Sequence, residues 1–214
     1  MNIYDRMTID VPEGELDGLR VQRFEMKTGT VQALRLAMEG RAIRPGWYTR
    51  LVDGTGMGAR FWMSDTPAEK DDHYETVRMI EKLQAKRVLI NGLGLGMVLQ
   101  AALSFDHVEH VDVVEHDQRV IDLVGPHYLK DPRVTIHHAD AFEQAKAWPR
   151  GTRWDVVWND IWGDLNTDDL PEHFKLAYTY GRRATWHGAW VHDDLMLRRD
   201  RERREEARRR GWLS

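Results

Sequence analysis

This sequence predicts an α/β protein: a doubly wound, mostly parallel sheet with helices on both faces, behind a small N-terminal β-rich cap. Three observations carry that prediction. Arg87-Val-Leu-Ile-Asn-Gly-Leu-Gly-Leu-Gly-Met-Val-Leu99 reads as a buried strand, three alternating glycines and an apolar helix. About twenty residues beyond Gly96, a second apolar run, Val111-Asp112-Val113-Val114, ends in the acids Glu115 and Asp117. From Thr66 onward, strand-like runs and helical patterns alternate, the rhythm of a parallel sheet covered on both faces.

The elements follow in order. Leu19–Phe24 alternates in strand fashion, and Thr30–Met38 has the spacing of a short helix closed by Gly40. Trp47–Val52 and Ala59–Met63 flank the hairpin signal that opens with Asp53-Gly54-Thr55-Gly56, so residues 1–65 form the cap. Thr66-Pro67-Ala68-Glu69 combines a capping box with proline at the first helical position. It opens a helix to about Gln84 that buries Tyr74, Val77, Ile80 and Leu83. Strand Val88–Asn91 leads into helix Leu95–Leu103, and strand His110–Val114 into helix Gln118–Val124, stopped by Gly125-Pro126. Strand Val134–His137 precedes helix Ala141–Ala147, strand Trp154–Trp158 precedes helix Asp169–Tyr180, and Arg183–Val191 is a fifth strand. Residues 66–194 are thus a Rossmann-like domain and 195–214 an Arg-rich C-terminal helix. Against the family resemblance given below, which implies two further strands as a hairpin, the sheet is expected to be truncated, or the cap to cover its open edge.

Composition excludes several classes of chemistry. With 42% hydrophobic and 31% charged residues, the 214-residue chain is a soluble globular protein with a sizeable core. A formal net charge of −4 gives no overall bias toward nucleic acid or acidic lipid. The absence of cysteine removes disulfides, thiolate metal sites and cysteine nucleophiles, and suits a cytoplasmic location. No apolar signal core opens the sequence and no run reaches membrane-spanning length. The histidines lack ligand spacing, so no metal site is expected. The tail Leu197–Trp212 holds eight arginines and four acids, a solvated helix whose alternative is docking on nucleic acid or a partner. Self-association stays open.

The glycines and acids indicate an adenosine-type ligand. Gly92, Gly94 and Gly96 permit positive φ and close backbone approach, with Asn91 at the loop's start. Glu115, with His116 beside it, is placed to accept hydrogen bonds from a ribose diol. Asp140 and Ala141 follow the third strand, where Asp140 caps the next helix or, as the family resemblance given below implies, meets the adenine; Asp117 either joins Glu115 at the ribose or caps the helix that follows it. Asp160 ends the fourth strand beside the glycine turn, where ligands of open α/β sheets sit, and is the candidate catalytic base. Trp158 reads as core, while Trp162 in the following loop is a pocket aromatic.

The G-x-G-x-G spacing, Glu115, His138-Ala139-Asp140-Ala141 and Trp154-Asp-Val-Val-Trp-Asn-Asp160 together resemble class I S-adenosylmethionine-dependent methyltransferases, and within them the spermidine synthase branch. Ile90 stands where methyltransferases usually carry an acid, as in the aminopropyltransferases. Val52-Asp53-Gly54 and Asp72-His73-Tyr74-Glu75 echo that branch's hairpin and following helix, which makes Tyr74 a substrate contact. The resemblance implies S-adenosylmethionine or its decarboxylated form as cofactor and a small amine or hydroxyl acceptor. Leu95 replaces the aspartate that holds the cofactor's amine in aminopropyltransferases, Thr55 or Gly56 stands in place of an expected glutamine, and Ile161-Trp162-Gly163-Asp164 replaces a proline-containing loop. Methyl transfer is therefore the first expectation and aminopropyl transfer the second. The rivals are a non-catalytic nucleotide-binding protein and a nucleic-acid modifier.

Overall fold

The computed structural model describes residues 1–27, 44–163 and 166–211 of the chain. The helix expected at Thr30–Met38 lies outside them. After a four-residue helix α1 (Ile3–Arg6), the cap is an antiparallel sheet β1 (Gly14–Leu16), β2 (Leu19–Met26), β3 (Gly46–Asp53) and β4 (Arg60–Ser64), in that spatial order. Gly54 takes φ +80° in the β3–β4 connection, a conformation open to glycine at no steric cost.

Helix α2 (Pro67–Lys82) then leads into five parallel strands: β5 (Arg87–Asn91), β6 (His110–Glu115), β7 (Val134–His138), β8 (Trp154–Asn159) and β9 (Ala184–Ala189). Their order, β7-β6-β5-β8-β9, reverses direction between β5 and β8, so the crevice above their carboxyl ends is a topological switch point. The intervening helices are α3 (Met97–Leu103), α4 (Gln118–Tyr128), α5 (Ala141–Ala147), α6 (Leu170–Gly181) and α7 (His192–Gly211). One core cluster packs β5, β6 and β8 against α2, α3 and the cap; another, with Leu89, Val157, Leu176 and Tyr180, lies on the opposite face.

Four details differ from the expectation. Thr66 caps no backbone amide; its hydroxyl accepts from Ser64 Oγ, so no capping box forms and Glu69 is released for other contacts. Gly125-Pro126 does not stop α4. Gly125 lets the helix approach β7 (a Cβ there would stand 3.3 Å from Ile136), and buried Tyr128 pins the last turn by donating to the Leu95 carbonyl at 2.9 Å. The helix after the glycines begins only at Met97, because Gly96 is its N-cap in the left-handed region. The cap packs on α4, where Gly14 meets Leu123, and so lies on the β6–β7 side of the sheet rather than over the β9 edge.

Arg119 fastens cap to sheet. Its guanidinium donates to Asp53 at 3.0 and 3.1 Å, to Asp117 at 2.7 Å and to the Asp17 carbonyl at 3.3 Å. The guanidinium also sits 5.8 Å from the Trp62 ring. This clamp brings β4 over the carboxyl ends of the parallel strands.

Candidate active site

A cleft of about 510 Å³ opens at the switch point, a size suited to a nucleoside-sized ligand. Its floor is Gly92 and Gly94. One end is walled by Ala139, Asp140, Ala141 and Phe142, and the other by Asp160, His73 and Glu69. Arg60, Trp62 and Met63 of β4 roof it, and Trp162, Glu172 and Trp190 line its mouth.

Glu115 sits at the middle of the cleft, 6% exposed. Its carboxylate accepts from Leu93 N and Asp117 N, each at 2.8 Å, and faces His116 Nδ1 at 3.2 Å. Burial opposes ionisation, yet the His116 contact and the two amides together hold the carboxyl below its ordinary value. It is a fixed anion with lone pairs to spare for a diol. Asp140 accepts from Phe142 N and Glu143 N as the cap of α5, and the residue also lines the cleft. Asp117 caps α4 through Arg119 N and is absent from the cleft wall.

The glycines behave differently from one another. A Cβ on Gly92 would stand 1.9 Å from the Asp160 carbonyl, and Gly94 would meet Met63 Sδ at 2.3 Å. Gly96 would meet the Tyr128 ring at 2.4 Å and is turned away from the cleft. The space their missing side chains leave is occupied by protein, and of the three only Gly92 and Gly94 line the cleft. The Met63 sulfur accepts from Leu95 N at 3.1 Å, while the Leu95 side chain is fully buried in the core.

Two further expected contacts lie elsewhere. Asn91 is fully buried and donates to Asn159 Oδ1 at 2.8 Å, tying β5 to β8 instead of facing the cleft. Tyr74 is at the surface of α2, with its ring centroid 5.6 Å from that of Tyr4. Its neighbour His73 turns inward instead. Positions 73 and 74 both fit the apolar stripe with Val77 and Ile80, so periodicity alone does not separate them.

Asp160 directly follows β8, with its amide bonded to the Asn91 carbonyl at 2.8 Å and a side chain 21% exposed. Burial first, then the negative charge of Glu69, with Asp72 and Glu115 adding, pushes its carboxyl up to about 8. Trp162 is held at the mouth by stacking on buried His173, with centroids 3.5 Å apart and planes 11° from parallel. Trp158 is core, as expected. His73, Glu69, Arg60 and Met63 escaped the sequence reading because each looked like an ordinary helix or strand residue. For Glu69, the carboxylate that a capping box would have used was the available signal.

Among the described residues no group of three or more histidines and acids is placed to hold a metal ion, and no helix is long and apolar enough to cross a membrane. A polyamine aminopropyltransferase of Prochlorococcus marinus is 27% identical over 135 residues, covering 55% of this chain and 46% of the relative. One from Lachnospira eligens is 32% identical over 81 residues, covering 35% and 28%. This chain therefore spans less than half the length of either. The solved spermidine synthase of Thermotoga maritima aligns over 79% of this chain and 53% of its own, at 24% identity and a TM-score of 0.45. The spermine/spermidine synthase domain matches residues 74–184, just over half the chain, from α2 to the start of β9. That stretch supplies Gly92, Gly94, Glu115, Ala139–Phe142 and Asp160 of the cleft, and with a match over half of its length the chain belongs to the spermine/spermidine synthase domain family.

Proposed function

We propose that this protein transfers an alkyl group from a sulfonium nucleoside, S-adenosylmethionine or its decarboxylated form, to a small amine. The observation that carries this is the pairing, across one cleft, of a fixed anion, Glu115, with a partly buried acid, Asp160, beside further carboxylates. The cleft fits such a cofactor: Ala139–Phe142 can hold the adenine, Glu115 the ribose hydroxyls, and Gly92 and Gly94 can carry the tail toward Asp160. When bound, the cofactor supplies an electrophilic carbon and a neutral thioether leaving group.

The chain's own residues do the rest. Glu69, Asp160 and Glu172 make the acceptor end acidic, which suits a substrate that arrives as a cation. Trp162 presents an aromatic ring at the entrance. Asp160 orients the nitrogen and handles its proton, and positioning in line with the reacting carbon supplies much of the acceleration.

The family match supports an aminopropyl group as the one transferred, reversing the order that the residues alone suggested. Methyl transfer is retained as a second reading because of one observation: Leu95, at the position of the amine-holding aspartate of aminopropyltransferases, is fully buried. Incubation with each sulfonium and a pool of amines separates them. Methylthioadenosine is expected as product; S-adenosylhomocysteine would make methyl transfer the activity, and neither product would remove the transferase reading.

Glu115→Gln is expected to weaken binding of methylthioadenosine by about 10–100-fold in calorimetry, since an amide has only one acceptor oxygen for two backbone N–H groups and a diol. Unchanged affinity would move the ribose elsewhere.

A further inference from the structure

We propose that His173 is a positioning residue for the acceptor: from behind Trp162 it fixes that indole as a wall of the cleft mouth, and so sets which amines the cleft admits. The proposal rests on the transferase reading above. The His173 ring lies face to face with Trp162, with centroids 3.5 Å apart and planes 11° from parallel. Trp162 and Glu172 line the cleft and His173 does not. The stack therefore covers the indole from the side away from the ligand and leaves the other face to it. Glu172, the residue before His173 in α6, accepts from Trp162 Nε1 at 3.3 Å. The stack fixes the plane of the indole, and the N–H contact fixes its rotation within that plane. A third ring, His192 at the start of α7, backs His173 with centroids 5.5 Å apart and planes at 30°.

Packing alone does not account for a histidine here. His173 is fully buried, and neither Nδ1 nor Nε2 has a hydrogen-bond partner. Two unmatched polar atoms cost stability that an apolar side chain in the same place would not. Burial first, then the charge of His192, lowers the pKa of the ring to about 4, so it is uncharged near neutral pH and lies on the indole without a counter-ion. What the imidazole supplies is a flat face: stacked aromatic rings attract one another and align, whereas a leucine presents no plane. The alignment has a consequence for the acceptor. A fixed indole face attracts an ammonium, and the Glu172 carboxylate at its edge adds opposite charge. An indole free to turn would offer that face only part of the time and would yield to wider molecules.

The test compares His173→Leu, which keeps apolar bulk and loses the flat face, with His173→Phe, which keeps the face. A linear alkyl diamine and a cyclohexane diamine are the acceptor probes, and methylthioadenosine reports on the nucleoside end. In His173→Leu the KM for the linear probe is expected to rise about 10-fold while kcat and methylthioadenosine affinity hold. The preference for the linear over the cyclic probe should narrow by a similar factor. His173→Phe is expected to return both quantities to within about 3-fold of the wild type. The Tm of His173→Leu should not fall, because two unmatched nitrogens are gone. An unchanged KM in His173→Leu, an equal rise in both variants, or a rise that tracks a falling Tm would make His173 a packing residue and overturn the proposal. A second readout needs no turnover: the Trp162 indole N–H resonance, assigned through Trp162→Phe, should shift in His173→Leu and stay near its wild-type place in His173→Phe. No shift in His173→Leu also overturns it. If that shift pattern appears but the wild type turns over no sulfonium and amine pair, the transferase reading fails, and the acceptor role of His173 with it.

Discussion

Asp160→Asn is expected to lower kcat by about 10²–10⁴-fold while methylthioadenosine still binds. The amide keeps the size and the neutral charge that the buried carboxyl has near neutral pH, so the pocket keeps its shape; what disappears is a group able to pass a proton. Steady-state kinetics beside calorimetry check this, and retention of wild-type kcat would remove Asp160 from the chemistry. The same variant has a stability signature. Because burial raises the carboxyl to about 8 in the folded protein, the folded state keeps a proton that the unfolded chain has already lost. The stability of the protonated form is thus complete in acid and declines as pH rises through the ordinary carboxylate range toward about 8. Asparagine has no such dependence. The Tm of the wild type should therefore fall progressively below that of Asp160→Asn up to about pH 8 and run parallel above it.

Gly92→Ala is expected to be the most damaging single methyl group. Gly92 has φ +99°, its amide donates to the Val114 carbonyl at 2.8 Å, and an added Cβ would stand 1.9 Å from the backbone carbonyl of Asp160. Neither neighbour is a flexible side chain, so the β5 end and the Asp160 loop must separate. The expected loss is about 3 kcal/mol, or roughly 10 °C in Tm, and what activity survives should fall with it. Gly94→Ala is the control. Its obstacle is the far end of Met63, which can rotate away, so it should cost about 1 kcal/mol. Equal losses at the two positions would mean that left-handed backbone strain, and not the approach of Asp160, explains Gly92.

Much of the fold was legible because its signals are local. Strands β5, β6 and β8 are mostly apolar runs, β6 and β8 each interrupted by one aspartate, and their helices carry a stripe of the right period. The errors arose where a local signal had a distant competitor. Pro126 reads as a stop, yet the buried Tyr128 anchor carries α4 past it. Thr66 and Glu69 read as a reciprocal cap, yet Ser64 takes the hydroxyl. Tyr74 reads as the inward aromatic of α2, yet the surface near Tyr4 accommodates a phenol while the cleft receives the smaller His73.

The residue order alone determined the end of the cleft to which the proposal assigns the adenosine: a glycine turn, a strand-end glutamate and a third-strand aspartate occur in fixed sequence because a parallel sheet places every carboxyl end on one side. Tertiary structure decided what those residues touch. Backbone from β8 fills the space at Gly92, Met63 from the cap sits on Gly94, and the proximity of His73, Glu69 and Asp160 arises from an α2 helix laid across β8. Such distances depend on how separate elements pack, and the raised pKa of Asp160 depends in turn on the burial that packing creates.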